Sequence, residues 1–195
     1  MKIGLMGGTF DPIHIGHLLA ADSVSTALEL DEVWFMPTNV PPHKDRKPGA
    51  TAAQRLEMVR LAVEGHPRFR VSDVELRMGG ISYSIDTVSM LREEHPGYAF
   101  HYIIGADMVQ YLPKWYRIEE LIGLVTFIGL ERPGYSTGYD TLPGPIREAV
   151  RLVPMPQIEL SSTEIRQRRA EGLSARYRVP DRVNEYIEVN SLYET

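Results

Sequence analysis

A glycine-rich segment directly behind the first apolar stretch constrains the fold of this chain more than any other feature. Residues 2–6 have the length and composition of a buried parallel strand, and apolar residues between positions 18 and 28 recur at helical spacing. Between these stretches, residues 7–17 read Gly-Gly-Thr-Phe-Asp-Pro-Ile-His-Ile-Gly-His. The sequence therefore predicts a strand that passes through this segment into a helix.

Two histidines, His14 and His17, lie at the predicted start of that helix. A helix N-terminus carries backbone N–H groups without intrahelical partners and the positive end of the helix dipole, which together favour an anion. Glycines at positions 7, 8 and 16 let phosphate oxygens approach the backbone because they have no Cβ. We therefore expect the segment to bind phosphate and to stabilise its charge.

Three other interpretations of these residues are weaker. A lone histidine near a helix start is commonly a cap or a surface residue, but two histidines framed by three glycines fit that explanation poorly. A His-x-x-His pair can chelate zinc, yet the chain has no cysteine and only Asp11 is near enough to add a carboxylate ligand. Neither the dinucleotide fingerprint nor the Gly-x-x-x-x-Gly-Lys-Ser/Thr loop is present.

A second segment near the C-terminus indicates the same kind of ligand. Ser161 and Ser162 begin a predicted helix, and Arg166 follows one turn later on the same side. An arginine can donate to two phosphate oxygens at once. A plain helix cap would explain the serines and Glu164, but it would not explain the arginine. We therefore expect an anion here as well.

Strand-like and helix-like stretches alternate along the rest of the chain. Predicted strands cover residues 32–37, 69–76, 98–104, 124–130 and 152–153, and helices are predicted to begin near 51, 84, 108, 119, 145, 161 and 180. Such alternation implies βαβ units with right-handed crossovers. We expect an α/β fold, a Rossmann-like doubly wound parallel sheet with helices on both faces. Its ligands should bind beyond the carboxyl ends of the strands.

Three of these helices have specific start signals. Thr51 and Gln54 form a capping box. Ser84 is expected to cap the helix that follows it, and Pro180 is expected as the first residue of the last helix.

Size and composition predict one domain, residues 1–195, whose C-terminal helical part at about 160–190 carries the Ser-Ser-Thr-Glu-Ile-Arg segment. Apolar residues make up 43% and charged residues 24%, close to globular averages. A net charge of -5 argues against a general nucleic-acid binder. Because the sequence shows no signal pattern and no apolar span of membrane length, a cytoplasmic protein without membrane association is expected.

Two further predicted strand ends carry polar residues. The loop 38–50 contains Asn39, His43 and Lys44, and its position beside the expected phosphate site favours a second phosphate contact over a merely solvated loop. In Gly-Gly-Ile-Ser-Tyr-Ser-Ile-Asp-Thr, residues 79–87, backbone N–H groups near Tyr83 and Ser84 can accept a carboxylate. An ordinary glycine turn with a serine cap is an equal alternative there.

The strand predicted at 98–104 is followed by Gly105 and Asp107, and the carboxylate of Asp107 can accept hydrogen bonds from ribose hydroxyls. Trp115 offers a flat face for an aromatic ring. A tryptophan is more often part of the core, but Lys114, Tyr116 and Arg117 flank this one. We therefore expect it to be partly exposed.

The segment Gly-Thr-Phe-Asp-Pro-Ile-His-x-Gly-His resembles the signature of the nucleotidyltransferase superfamily, whose His-x-Gly-His pair is shared with class I aminoacyl-tRNA synthetases. Pro-Pro-His-Lys at 41–44, Ser-Tyr-Ser-Ile-Asp-Thr at 82–87 and Ser-Ser-Thr-x-Ile-Arg at 161–166 are similar to the bacterial branch that adenylates nicotinate mononucleotide. Ser84 replaces that branch's usual threonine, and the resemblance covers nearly the whole chain. It implies adenylyl transfer from ATP to nicotinate mononucleotide, giving deamido-NAD and pyrophosphate without a covalent enzyme intermediate.

The resemblance also implies roles for individual residues. The expected catalytic residues are His14, His17 and Arg166. Expected ATP contacts are Gly7, Gly8, Thr9, Phe10, Gly16, Gly105, Asp107, Arg132, Ser161, Ser162 and Thr163. Expected contacts to nicotinate mononucleotide are Asn39, His43, Lys44, Tyr83, Ser84 and Trp115. No metal site made of protein ligands is expected, because Mg²⁺ should arrive on the phosphate oxygens of the co-substrate ATP.

Alternatives stay open from the sequence. Phosphopantetheine adenylyltransferases share both phosphate motifs, which are residues 7–17 and 161–166 in this chain. Cytidylyltransferases for small alcohol phosphates share the first of them. A nucleotide-binding sensor without turnover is the alternative outside the enzymes. A homodimer is compatible with the resemblance.

Overall fold

Six parallel strands form one sheet in the computed structural model, which describes residues 1–40, 48–131 and 137–194. The strands are β1 Lys2–Gly8, β2 Glu32–Pro37, β3 Phe69–Val71, β4 Ala99–Ile104, β5 Thr126–Glu131 and β6 Val150–Pro154. Their order in the sheet is β3-β2-β1-β4-β5-β6. The chain order therefore reverses between β1 and β4, and open α/β sheets bind ligands beyond the carboxyl ends of the strands at such a switch.

Helices connect these strands. They are α1 Ile15–Ala27, α2 Ala52–Val63, α3 Val74–Met78, α4 Ser84–Glu94, α5 Ala106–Val109, α6 Ile118–Leu121, α7 Gly144–Glu148, α8 Ser162–Ala170 and α9 Asp181–Val189. Single-turn 3-10 helices occupy Leu112–Lys114 and Tyr139–Thr141. Within the described ranges, no helix combines the length and the apolar character that spanning a membrane would require.

Each face of the sheet has its own apolar core. On one face, residues of α1, α2, α8 and α9 pack together, and on the other, residues of α3 to α7 do so. Strand β1 shows the alternation, because Ile3 and Leu5 enter the second core whereas Met6 enters the first. The expected Rossmann-like, doubly wound parallel sheet with helices on both faces is confirmed.

The capping box at the start of α2 is confirmed. The backbone N–H of Gln54 donates to Thr51 Oγ1 at 3.3 Å, and that of Thr51 donates to Gln54 Oε1 at 2.9 Å. The buried face of α2 contains Arg55, Met58, Val59 and Val63, whereas Leu56 is only partly buried.

The strand expected over residues 69–76 is wrong beyond Val71. Strand β3 lies at the sheet edge and pairs only with β2, over three residues. The chain then turns at Ser72 and Asp73, which favour turns and helix starts, and continues as α3. There Val74 and Glu75 are buried.

Two helix starts also differ from the expected ones. Tyr83, not Ser84, is the N-cap of α4, and the Ser84 hydroxyl donates instead to the Tyr102 hydroxyl at 3.0 Å. Pro180 is the N-cap of α9, with extended backbone (ψ 149°), so the first helical residue is Asp181.

Gly129, in the middle of β5, lets α5 and β6 approach the strand closely. A Cβ on Gly129 would lie 2.7 Å from Val109 Cγ2 and 2.8 Å from Leu152 Cδ2. Val109 is fully buried and β-branched, so its side chain has little freedom to move away. The absence of a side chain at position 129 thus sets how closely the chain behind β4 lies on the sheet.

We expect Gly129→Ala to destabilise the protein by about 1–3 kcal/mol, the usual cost of adding a methyl group to a filled core. Urea unfolding followed by circular dichroism measures this free energy. In a Val109→Ala background the same change should cost less, because the methyl group it meets is absent. Equal costs in the two backgrounds would contradict the packing explanation.

Candidate active site

His14 and His17 lie against each other at the start of α1, just beyond the carboxyl end of β1. His14 is the N-cap of the helix and is 6% exposed, and His17 is half-buried. The two imidazole rings stack with their centroids 3.7 Å apart. The structure therefore brings the two predicted catalytic histidines together at the predicted helix start.

A backbone hydrogen bond fixes the orientation of the His17 ring. The N–H of His14 donates to His17 Nδ1 at 3.2 Å. A neutral imidazole whose Nδ1 accepts a hydrogen bond carries its hydrogen on Nε2. His17 therefore has Nε2–H as its donor, which is the polarity that a phosphate oxygen requires.

Gly16 serves the histidine pair as well as the backbone. A Cβ at this position would lie 3.0 Å from His14 Nδ1, so a side chain here would displace that ring. The N–H of Ile15 donates to the Arg178 carbonyl at 2.9 Å, and that of His17 to the His14 carbonyl. By contrast, the N–H of Gly16, between them in the first turn, has no hydrogen-bond partner among the residues that the structure describes.

The other glycines of the segment are also required by close packing. A Cβ on Gly7 would lie 2.8 Å from the Tyr102 hydroxyl, and one on Gly8 would lie 3.0 Å from the Phe10 ring. That ring is buried and lies edge-on to His17, with centroids 5.1 Å apart. The Phe10 ring thus supports His17.

The C-terminal motif meets this segment directly. The Ser162 hydroxyl donates to the Pro12 carbonyl at 2.8 Å, and Arg166 Nη1 donates to the Asp11 carbonyl at 2.7 Å. These bonds join residues 150 or more positions apart in the sequence. The two segments that were singled out for phosphate binding are therefore neighbours.

Helix α8 begins as the sequence predicted. Ser161 is its N-cap and accepts a hydrogen bond from the Glu164 N–H at 3.1 Å. Arg166 Nη2 also donates to Thr163 Oγ1 at 3.2 Å. Two of the five guanidinium N–H groups thus hold the side chain in place, and the other three have no hydrogen-bond acceptor within the described residues.

The carboxylate of Asp11 joins three parts of the chain at this site. Its Oδ2 accepts from the Gly49 N–H at 2.8 Å, and its Oδ1 accepts from the Ala50 N–H at 3.0 Å and the Tyr193 hydroxyl at 2.9 Å. Arg166 Nη1 lies 3.7 Å from Oδ2. Asp11 is 5% exposed, so these partners replace the water that a buried charge would otherwise lose.

A second arginine lies beneath the segment. Arg55 is 1% exposed, and its Nη1 donates to the Thr9 carbonyl at 2.7 Å. Burial lowers the pKa of Arg55, while the charge of Asp11 counteracts that effect. Arg55 therefore fixes the backbone of Thr9 and adds positive potential under the proposed phosphate site.

Gly105 and Asp107 follow β4, which pairs directly with β1. Gly105 is the N-cap of the short helix α5, and Asp107 is exposed. Asp107 Oδ1 lies 2.7 Å from the position of a Cβ on Gly105, so its carboxylate covers that glycine. The structure places both residues at the switch in strand order, as expected for nucleotide contacts.

Asn39 links the end of β2 to the segment before α4. Its N–H donates to Ser82 Oγ at 3.0 Å, and its Nδ2 donates to the Gly80 carbonyl at 2.9 Å. Val40 and Ile81 form a parallel bridge beside these bonds. Asn39 therefore shapes the wall of the expected acceptor site, and its amide hydrogens are in part used within the protein.

Several aromatic residues pack against one another near the start of α4. The Tyr83 and Tyr116 ring centroids are 4.6 Å apart, and the rings of Trp115 and Tyr102 meet edge-on at 5.7 Å. Trp115 is partly buried, as expected, and its Nε1 has no hydrogen-bond partner among the described residues. The backbone N–H groups of Ser84 and Ile85 likewise have no hydrogen-bond acceptor among the described residues.

Glu75 is a buried carboxyl beneath this wall. It is 3% exposed, and Thr87 Oγ1 donates to its Oε1 at 3.3 Å. The pKa of Glu75 is raised to about 7, because the effect of burial outweighs that of the Ser82, Thr87 and Thr38 hydroxyls, which lower the pKa. Near neutral pH this carboxyl is therefore divided between its neutral and charged forms.

Some predicted site residues lie outside the described part of the chain. They are His43, Lys44 and Arg132. Over the described residues, no group of three or more His, Cys, Asp or Glu side chains could hold a metal ion.

Sequence reasoning missed several residues of the site. The roles of Tyr102, Glu75 and Tyr193 depend on contacts between distant parts of the chain, and no local pattern marks them. Arg55 did leave a signal, because it is a charged residue within the apolar stripe of α2.

Comparison with known proteins first defines the class. A family model described as cytidylyltransferase-like matches residues 5–168. The chain therefore belongs to the cytidylyltransferase-like family, and within it to the nicotinate-nucleotide adenylyltransferases, as the following relatives show.

The nicotinate-nucleotide adenylyltransferase of Bacillus subtilis (strain 168) is 45% identical over 196 residues, which cover 100% of this chain and 99% of that protein. A probable nicotinate-nucleotide adenylyltransferase of Geobacillus kaustophilus (strain HTA426) is 50% identical over 192 residues, which cover 98% of this chain and 86% of that protein.

A solved structure supports the fold independently. The Plasmodium falciparum nicotinic acid mononucleotide adenylyltransferase complexed with NaAD superimposes with a TM-score of 0.79 at 21% identity. The match covers 98% of this chain and 97% of that one. At this level of identity, the likeness supports the fold alone.

The buried carboxyl predicts a specific pH dependence of stability. In the unfolded chain Glu75 titrates near 4.5, whereas in the folded protein its pKa is about 7. As the pH rises between these values, Glu75 loses its proton in the unfolded state before it does so in the folded state. The stability that protonated Glu75 contributes is therefore present below about pH 4.5 and is lost as the pH rises through about 7. The loss should amount to about 3 kcal/mol.

We expect the unfolding free energy of the wild type, relative to Glu75→Gln, to fall by this amount between pH 4.5 and pH 7.5. Urea unfolding at a series of pH values measures the difference. Glu185→Gln, at an exposed position of α9, controls for the removal of one carboxylate. A difference between wild type and Glu75→Gln that stays constant with pH would contradict the assignment.

Proposed function

We propose that the protein transfers the adenylyl group of ATP to nicotinate mononucleotide, giving deamido-NAD and pyrophosphate. One observation carries the proposal: the two phosphate motifs, far apart in sequence, are bonded to each other at the switch in strand order, through Ser162 to Pro12 and Arg166 to Asp11. Family membership supports the same reaction, since the curated relatives carry that name.

The proposed reaction is a single in-line displacement. A phosphate oxygen of nicotinate mononucleotide attacks the α-phosphorus of ATP, and a new P–O bond forms. The bond from the α-phosphorus to the bridging oxygen breaks, and pyrophosphate leaves with the electron pair. The attacking oxygen is already anionic at neutral pH, so no general base is required. The protein acts by positioning the reactants and neutralising charge.

His14, His17 and Arg166 hold the ATP phosphates in this proposal. His17 contributes its Nε2–H, because Nδ1 already accepts a backbone hydrogen bond. Arg166 contributes the guanidinium N–H groups that do not donate to Asp11 or Thr163. The N–H of Gly16, at the positive end of the α1 dipole, adds a donor that needs no reorganisation.

Magnesium fits this site as a partner of the nucleotide. The Asp11 carboxylate accepts three hydrogen bonds from the protein, so it does not offer itself as a metal ligand. The described part of the chain has no cluster of acidic side chains to replace it. Mg²⁺ held by the triphosphate and water would neutralise phosphate charge, which is its usual mode of binding with nucleotides.

Acceptor recognition is proposed at the start of α4. The N–H groups of Ser84 and Ile85 would donate to the carboxylate of the nicotinate ring, while Trp115 would lie near the ring. The nicotinamide ring carries an NH₂ donor in place of one carboxylate oxygen, which these donors would repel. His43 and Lys44 are proposed to contact the acceptor phosphate, and Arg132 to contact ATP.

Pyrophosphate release from ATP and Mg²⁺ tests the proposal, with nicotinate mononucleotide, nicotinamide mononucleotide and phosphopantetheine as parallel acceptors. We expect a strong preference for the nicotinate form. A preference for phosphopantetheine would contradict the acceptor site but leave the phosphate site standing. Higher activity with CTP than with ATP would assign a cytidylyltransferase, and no release with any acceptor would favour a nucleotide sensor.

The histidine motif gives a further prediction. His17→Ala should lower turnover by roughly 10²–10³, the usual scale for one donor to developing charge, and should leave the protein folded. Steady-state pyrophosphate release measures the loss, and circular dichroism monitors the fold. Near-normal turnover in the folded variant would remove His17 from the catalytic residues.

Other expectations stay predictions. They are a single domain over residues 1–195, a cytoplasmic location, a homodimer and the absence of a nucleic-acid partner.

A further inference from the structure

The C-terminal tail folds back toward the proposed active site after α9. The Leu192 side chain is 7% exposed, and its N–H donates to the Ile187 carbonyl at 2.9 Å. Ser191 and Tyr193 have positive φ values, 48° and 66°. Residues other than glycine keep such a backbone where the surrounding structure holds it, so the path of the tail is specified.

Tyr193 is the residue of this tail that reaches the site. Its hydroxyl donates to Asp11 Oδ1 at 2.9 Å across 182 positions of sequence. Its ring lies against the backbone of Gly49, where a Cβ would be only 3.0 Å from a ring carbon. The Cδ of Arg166 lies 3.5 Å from the same point. Tyr193 therefore contacts the segment 48–50 and lies beside the proposed catalytic arginine.

The tail is also tied to the helix that carries this arginine. Glu194 forms an ion pair with Arg169 of α8, and Arg169 is 8% exposed. Arg166 lies one turn earlier on the same helix. The tail thus connects α8 with the Asp11 carboxylate.

We propose that Tyr193 is a positioning residue for adenylyl transfer: by holding the Asp11 carboxylate, it fixes the guanidinium of Arg166 and the backbone at Gly49–Ala50. This inference rests on the proposed function. Tyr193 acts through Asp11 and makes no contact with the reacting atoms.

The chemistry of the hydroxyl agrees with this role. Burial and the nearby charge of Asp11 both raise the pKa of Tyr193, while Arg166 and Arg55 lower it. The hydroxyl therefore stays protonated and donates a hydrogen bond to the carboxylate. Among the described residues, removing the hydroxyl would leave Oδ1 with the Ala50 N–H as its one hydrogen-bond donor.

Tyr193→Phe removes this single hydrogen bond and keeps the ring against Gly49. We expect kcat for pyrophosphate release to fall about tenfold, the scale of one hydrogen bond to a charged group. The KM for ATP should change by less than about twofold if the misplaced arginine acts mainly in the transition state. Circular dichroism and thermal unfolding check that the variant is folded.

Tyr186→Phe is the matched control. Tyr186 lies on α9 and packs against the same core, and its hydroxyl makes no hydrogen bond within the described residues. It should keep the wild-type kcat. A tenfold loss in this variant too would mean that the effect of Tyr193→Phe reflects general loosening of the C-terminal region, which would overturn the proposal.

A double-mutant cycle with Arg166→Gln separates positioning from a merely structural role. If Tyr193 acts through Arg166, then Tyr193→Phe should change kcat by less than about twofold in the Arg166→Gln background. An undiminished tenfold loss in that background would overturn the proposal.

The remaining outcomes are also decisive. Wild-type kcat in folded Tyr193→Phe would overturn the positioning role while the adenylyl transfer itself stands. Wild-type protein that releases no pyrophosphate with any acceptor would overturn both proposals, because positioning presupposes the reaction.

Discussion

The buried carboxylate of Asp11 is the interaction on which the arrangement of this site depends. A charge that is 5% exposed must be matched within the protein, and its partners come from the segment 48–50 and from Tyr193, with Arg166 close by. The carbonyl of the same residue accepts from Arg166. One aspartate thereby holds the first phosphate motif, the second phosphate motif and the end of the chain in a single geometry. Losing any one of these partners would destabilise the site, because the buried Asp11 carboxylate would then be incompletely hydrogen-bonded.

The acceptor side of the crevice is held differently, by neutral polar groups and aromatic rings. Asn39 bonds the end of β2 to the segment before α4, and the Ser84 hydroxyl donates to Tyr102. Glu75 lies below them with a raised pKa because burial disfavours its charged form. A carboxyl that is only partly ionised near neutral pH adds less negative potential than a fully charged one would, where an anionic acceptor is proposed to approach. The two sides thus differ in electrostatic character, with arginines at the proposed nucleotide side and a partly ionised carboxyl at the proposed acceptor side.

The sequence predicted the sheet and the positions of most helices, because these follow from local patterns. Alternating strand and helix periodicity implies a parallel sheet, and a parallel sheet brings the segments behind its strands to one edge. It failed where tertiary contacts outweigh local preference. Residues 69–76 carry a strand-like composition, yet the edge strand ends at Val71 after pairing with three residues of β2, and helix α3 follows from Val74. Ser84 has the chemistry of a cap, but its hydroxyl donates to Tyr102 from the neighbouring strand instead.

Local sequence patterns were enough to predict the fold class, the family and the two segments proposed to bind phosphate, since each depends on residues close together in the chain. How those segments are held depends on contacts between distant parts of the chain. The glycines that sequence reasoning assigned to phosphate approach also make room for the His14, Phe10 and Tyr102 side chains. The partners of Asp11 lie between 38 and 182 positions away. Such contacts leave no periodic signal, because a buried charge is satisfied by whichever donors the folded backbone brings within hydrogen-bond distance.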